Sequence, residues 1–135
     1  MSPEPNRTSR RILVADDDAV MRRVIARILT DAGFRVVLAN DGREAYRILQ
    51  VDADFRAAIF DQRMPHLEGI DIVRHMRTEK RLMRIPVILM TADQELSVQR
   101  DSFAAGALAF LLKPFTTHNV QTVLRLLGDG EGVMV

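Results

Sequence analysis

The chain has no cysteine and no tryptophan, a single tyrosine, and a formal net charge of only +1 over 135 residues. Without cysteine there is no disulfide staple, no thiolate metal site and no thiol nucleophile, a composition that suits a reducing compartment, so a cytoplasmic location is expected. The near-balanced charge gives no bulk attraction to nucleic acid or to an anionic membrane, and neither is expected as a direct partner. No apolar run approaches the roughly 20 residues that span a bilayer, and the first six residues lack the apolar core of a secretory signal. What is present, 47% apolar and 27% charged residues, is ordinary globular material of a length that suits one domain.

Residues 1–9 hold two prolines and nothing to bury, which predicts a flexible leader. Arg11-Ile12-Leu13-Val14-Ala15 then reads as a buried strand closed by Asp16-Asp17-Asp18. From Ala19 the period becomes helical, with Val20, Met21, Val24, Ile25, Ile28 and Leu29 on one face and Arg22, Arg23 and Arg27 on the other. Gly33 marks the stop. Those arginines read as a solvated face, or as one that docks a kinase.

Four more strand, turn and helix units follow. The strands are expected over 34–39, 57–61, 85–90 running on to Thr91, and 107–112. The second helix carries Ala45, Ile48 and Leu49. The third is opened by Glu68-Gly69, with its charged end over 77–84. The fourth, over about 93–105, has few large apolar residues and should pack shallowly. The fifth is capped by Thr116 or Thr117. The glycine-rich residues 128–135 are expected to be a disordered tail, leaving a domain over 10–127. Five near-continuous apolar strands alternating with five helices predict a single doubly wound α/β sheet of parallel strands, covered on both faces.

In such sheets the ligand site lies beyond the carboxyl ends of the strands. Here those ends carry Asp16 and Asp17, then Asp61, Thr91 and Lys113. With strand order 2-1-3-4-5, three carboxylates meet within ~5 Å, and a like-charge pair at that distance costs roughly 3 kcal/mol at an effective dielectric near 20. A small hard dication answers that repulsion, which favours Mg²⁺. Lys113 adds a charge on a long stem and Thr91 a hydroxyl donor, so that the set forms a receptor for phosphoryl oxygens.

Taken together, Leu13-Val14-Ala15-Asp16-Asp17, Asp61-x-x-Met64-Pro65-x-x-Glu68-Gly69, Met90-Thr91-Ala92 and Ala105-Gly106-Ala107 through Phe110-x-x-Lys113-Pro114-Phe115 resemble the response-regulator receiver domain of two-component signalling. The resemblance implies a five-stranded flavodoxin-like fold. It makes Asp61 the phosphoacceptor, taking its phosphoryl group from a sensor histidine kinase or a histidine phosphotransfer protein. Asp16, Asp17, Asp61 and the backbone carbonyl of Arg63 would hold Mg²⁺. Lys113 and Thr91 would grip the acyl phosphate, and Phe110 would move inward when Thr91 shifts. A cis bond at Lys113-Pro114 is implied as well. Glu68 stands where Asp is frequent, and Phe110 lacks a hydroxyl. Arg63 and Asp93 flank the pocket mouth at positions that modulate the lifetime of the phosphoryl group, and their contact is expected to screen attacking water.

Two other readings stay open on the sequence. Asp16-Asp17-Asp18-Ala19-Val20 matches the DxDx[TV] element of haloacid-dehalogenase-type phosphatases, with Asp16 as nucleophile and Asp18 as acid/base, although only Asp129 and Glu131 of the tail follow Lys113 where that family needs an acidic pair on a strand. A pseudo-receiver that binds partners without phosphorylation is the third. Output is expected through a protein target at the fourth helix, fifth strand and fifth helix, with a phosphorylation-dependent dimer as an option. His66, His75 and His118 lack ligand spacing and should be surface residues.

Overall fold

The computed structural model describes residues 9–92 and 96–127. The expected leader over 1–8, the tail over 128–135 and Asp93 lie outside the described residues. The element order is β1 (Arg11–Ala15), α1 (Ala19–Asp31), β2 (Arg35–Ala39), α2 (Gly42–Val51), β3 (Ala57–Asp61), α3 (Gly69–Arg77), β4 (Val87–Thr91), α4 (Leu96–Ala105), β5 (Ala109–Leu112) and α5 (Thr117–Arg125). All neighbouring strands pair in parallel, in the order β2-β1-β3-β4-β5.

Alternation along each strand divides the core in two. Leu13 and Ala15 of β1 join Ala45, Leu49, Ile72, Val73 and Met76 under α2 and α3, while Ile12 and Val14 join Ile25, Leu29, Val120 and Val123 under α1 and α5. Each fully buried Leu, Ile or Phe contributes roughly 1.5–3 kcal/mol. β3 and β4 are buried at every position, as central strands covered on both faces should be.

Local chemistry sets the boundaries. Asp18 caps α1 by accepting from Val20 N and Met21 N, and Gly33 (φ 94°) and Gly106 (φ 120°) take the left-handed turns that lead into β2 and β5. At α5 it is Thr116, paired with Asn119 in a reciprocal box, that caps the helix. The third helix stops sooner than its charged run suggests. It ends at Arg77 with Thr78 as cap, and residues 79–85 form turns that bury Leu82 completely. β4 and β5 likewise begin at Val87 and Ala109, two residues later than the apolar runs imply. α4 does pack shallowly: among its described side chains only Ser102 is buried, and Phe103 is half exposed.

The two ends of the described chain return to one place. Ser9 Oγ donates to Asp54 O at 3.4 Å, Arg56 N donates to Arg11 O at 2.8 Å, and the Arg56 guanidinium donates to the carbonyl of Leu127. Among the described residues no helix is long and apolar enough to cross a membrane.

Candidate functional site

The sheet ladder runs past the strand ends and fixes the backbone of the polar residues there. Asp16 N donates to Ala39 O of β2 (3.3 Å), Gln62 N to Met90 O of β4 (2.8 Å) and Lys113 N to Thr91 O (2.8 Å). Asp16, Asp17 and Asp61 thereby converge, each offering a carboxylate oxygen within 4.8 Å of the others. Asp16 and Asp61 are buried, and Asp17 is exposed. Lys113 Nζ stands 3.1 Å from Asp61 Oδ1 and 3.8 Å from Asp16 Oδ2.

The Lys113 ammonium faces two of these three carboxylates, Asp61 more closely than Asp16. Asp16 Oδ1 accepts from Asp18 N at 2.9 Å, but its Oδ2 is buried with no hydrogen-bond partner. Burial raises the Asp16 pKa above the ordinary carboxylate range, the amide of Asp18 opposes that rise, and the Asp61 charge adds to it. An all-oxygen donor set carrying an orphaned buried acceptor fits a hard divalent cation such as Mg²⁺.

Thr91 ends β4, buried, one strand from Asp61, whose Cα partner is Met90. The Lys113-Pro114 bond is cis, as the resemblance implies. Phe110 is half buried, its ring meeting Phe103 of α4 edge-on at 4.9 Å. Arg63 is exposed, and its expected partner Asp93 lies outside the described residues. All three histidines are exposed. Asp18 is committed to capping α1, which leaves it poorly suited to act as the general acid of a phosphatase.

Two residues at the site carry no sequence signal. Arg22, read as part of a solvated face, is half buried, and its guanidinium donates to the carbonyl oxygen of Asp16 at 2.7 Å, bracing the acidic turn. Gln62 is buried, and its side chain accepts from Ile70 N at 2.9 Å. Only knowledge of which backbone groups these side chains meet after folding would single them out. Glycine matters nearby: a Cβ on Gly69 would lie 2.8 Å from Asp61 O, and one on Gly42 2.0 Å from Leu67 O. The loop after β3 therefore lies tight against the strand end and the start of α2. Within it His66 takes a left-handed φ of 72°.

Comparison with known proteins places these features in company. The family described as response regulator receiver domain matches residues 12–125. Chemotaxis protein CheY1 of Helicobacter pylori is 33% identical over 118 residues, covering 87% of this chain and 95% of its own. Among solved structures, chemotaxis response regulator CheY4 of Vibrio cholerae superposes with a TM-score of 0.82 at 29% identity, covering 89% of this chain and 99% of its own. The receiver domain of a Pseudomonas aeruginosa sensor histidine kinase, solved with a magnesium ion coordinated in its active-site cleft, gives a TM-score of 0.80 at 31% identity and covers 90% of this chain and 100% of its own.

Proposed function

The chain belongs to the response regulator receiver domain family, and from that premise we propose that it is a phosphoacceptor whose Asp61 takes a phosphoryl group from a phosphohistidine on a sensor kinase or a histidine phosphotransfer protein. In this step an Asp61 carboxylate oxygen attacks phosphorus, the O–P bond forms as the N–P bond breaks, and the electron pair returns to the imidazole nitrogen. Lys113 Nζ, already 3.1 Å from Asp61 Oδ1, and the Thr91 hydroxyl offer donors to the phosphoryl oxygens as charge spreads over them. Asp16, Asp17, Asp61 and the carbonyl of Arg63 would hold Mg²⁺, which supplies charge neutralisation for those oxygens when bound.

The observation that carries this reading is the crowding of three carboxylates, with Lys113 Nζ 3.1 Å from Asp61 and 3.8 Å from Asp16, whose Oδ2 is buried without a hydrogen bond. Readout runs from Thr91 and Phe110 to Phe103, on the thinly anchored α4, where a shift costs little. The exposed Phe103, Leu108 and Leu112 beside them suit a downstream protein target on α4, β5 and α5, or a phosphorylation-dependent dimer. Incubation with Mg²⁺ and acetyl phosphate tests the proposal. A hydroxylamine-sensitive phosphate should appear on Asp61, and Asp61→Asn should not acquire it. Absence of label on the unaltered chain, or turnover of small phosphate esters that depends on Asp16, overturns the reading.

A further inference from the structure

Gln62 lies between Asp61 and Arg63, and its side chain plays no part in the phosphotransfer step just described. It is 7% exposed, although glutamine is a residue that proteins mostly leave in solvent. Three hydrogen bonds hold it. Its N–H donates to Met90 O at 2.8 Å, its backbone carbonyl accepts from Gly69 N at 3.2 Å, and its Oε1 accepts from Ile70 N at 2.9 Å. Gly69 and Ile70 open α3, where the first N–H groups have no partner within the helix. One residue thus satisfies two donors of α3 and ties that helix to the end of β3. The eight-residue offset between Gln62 and Ile70 closes a loop around Arg63, Met64, Pro65 and His66, with Gly69 admitting the close approach to Asp61 O.

A backbone carbonyl has no rotamers, so its direction is fixed by the dihedral angles of the loop that carries it. A loop pinned at both ends holds that direction, while a loop released at one end spreads over several. We infer that Gln62 is a positioning residue for the metal site. By clamping the first turn of α3 to the end of β3, its carboxamide aims the Arg63 carbonyl and steadies the Asp61 carboxylate beside Asp16 and Asp17. This rests on the proposed Mg²⁺-dependent phosphoacceptor role. Removing the acceptor leaves the Ile70 N–H buried without a partner, and the loop relaxes to hydrate it. Loss of such an outer support lowers metal affinity by roughly 10–100-fold.

The test uses three variants: Gln62→Met keeps the reach without the acceptor, Gln62→Asn keeps the amide but is one methylene too short, and Gln62→Glu keeps both reach and acceptor. Mg²⁺ affinity is measured by calorimetry, and Ile70 amide exchange is followed without Mg²⁺. Gln62→Met and Gln62→Asn should lose Ile70 protection and bind Mg²⁺ roughly tenfold more weakly, while labelling by acetyl phosphate recovers at saturating Mg²⁺. Gln62→Glu should keep the protection and bind Mg²⁺ at least as tightly as the unaltered chain. If Met or Asn binds Mg²⁺ as well as glutamine does, or if Gln62→Glu falls with them, the inference fails. Should Gln62→Met not fold, the Asn and Glu pair decides it. If the unaltered chain itself binds no Mg²⁺, the proposed function is what has failed.

Discussion

At the amino-terminal edge of the sheet Arg11 pairs with Asp52 at 2.7 Å and reaches Asp54 at 3.9 Å, whereas at the carboxyl edge Lys113 faces Asp16 and Asp61 with Asp17 beside them. The hydrogen bond from Arg11 holds the Asp52 carboxyl below the ordinary range, while burial pushes that of Asp16 above it. Backbone strain divides the same way. The turns entering β2 and β5 place Gly33 and Gly106 in the left-handed region, and at the other edge that conformation falls to His66. One edge is satisfied within the chain. The other keeps a buried charge that a cation can compensate, beside a loop that holds a strained residue, the pattern expected of a functional site on a stable scaffold.

The largest test of that contrast removes one cation from each edge. Lys113→Met should slow acyl phosphate formation roughly 100-fold, the usual cost of losing a donor to developing charge. Arg11→Met should leave the rate unchanged. Rates of labelling by acetyl phosphate measure both, and a large loss in Arg11→Met would erase the distinction.

Next come two Asp→Asn changes of opposite sign. In Mg²⁺-free urea titrations Asp16→Asn should stabilise the fold by about 1 kcal/mol, since it removes a buried, under-compensated charge, and added Mg²⁺ should no longer raise the Tm. Asp52→Asn should destabilise, by less than about 1 kcal/mol, because the Arg11 pair is a third open to solvent.

Their pH dependences oppose each other too. A depressed Asp52 pKa gives stability that is present above the unfolded value, near 4, and lost as pH falls through the lower folded value. A raised Asp16 pKa works in reverse: between its ordinary and raised values the folded state holds the extra proton, so stability from this group declines as pH rises. Asp52→Asn should therefore flatten the acid limb of the stability profile, and Asp16→Asn the decline above it. The smallest expected effect is at His66. Replacing it with Gly should add about 0.5 kcal/mol, relief of the left-handed cost being partly offset by added freedom in the unfolded chain.

The sheet was legible because central parallel strands must be apolar throughout, so Leu13, Ile59 and Leu89 announce themselves, and the polar residue that breaks the runs of β1, β3, β4 and β5 stands at the carboxyl edge of the sheet. That rule pointed to Asp16, Asp61, Thr91 and Lys113, which lie at the carboxyl ends of neighbouring strands. It could not find Gln62 or Arg22, whose contacts are to backbone groups eight and six positions away that only the fold brings near. The end of α3 was hidden for a different reason. Residues 77–84 are rich in helix formers with no glycine or proline to stop them, and burial of Leu82 in the core overrides their propensity.

The convergence of Ser9, Arg11 and Leu127 on residues 54–56 brings the two ends of the described residues together, an arrangement suited to insertion into a host protein. Both joints leave from the edge whose charges are already paired, with the acidic pocket at the far end of the strands. Spliced through two short linkers into a surface loop of a fluorescent host, the domain would keep its pocket open to solvent, and any strain that phosphorylation transmits to α5 would pull directly on the host's own backbone.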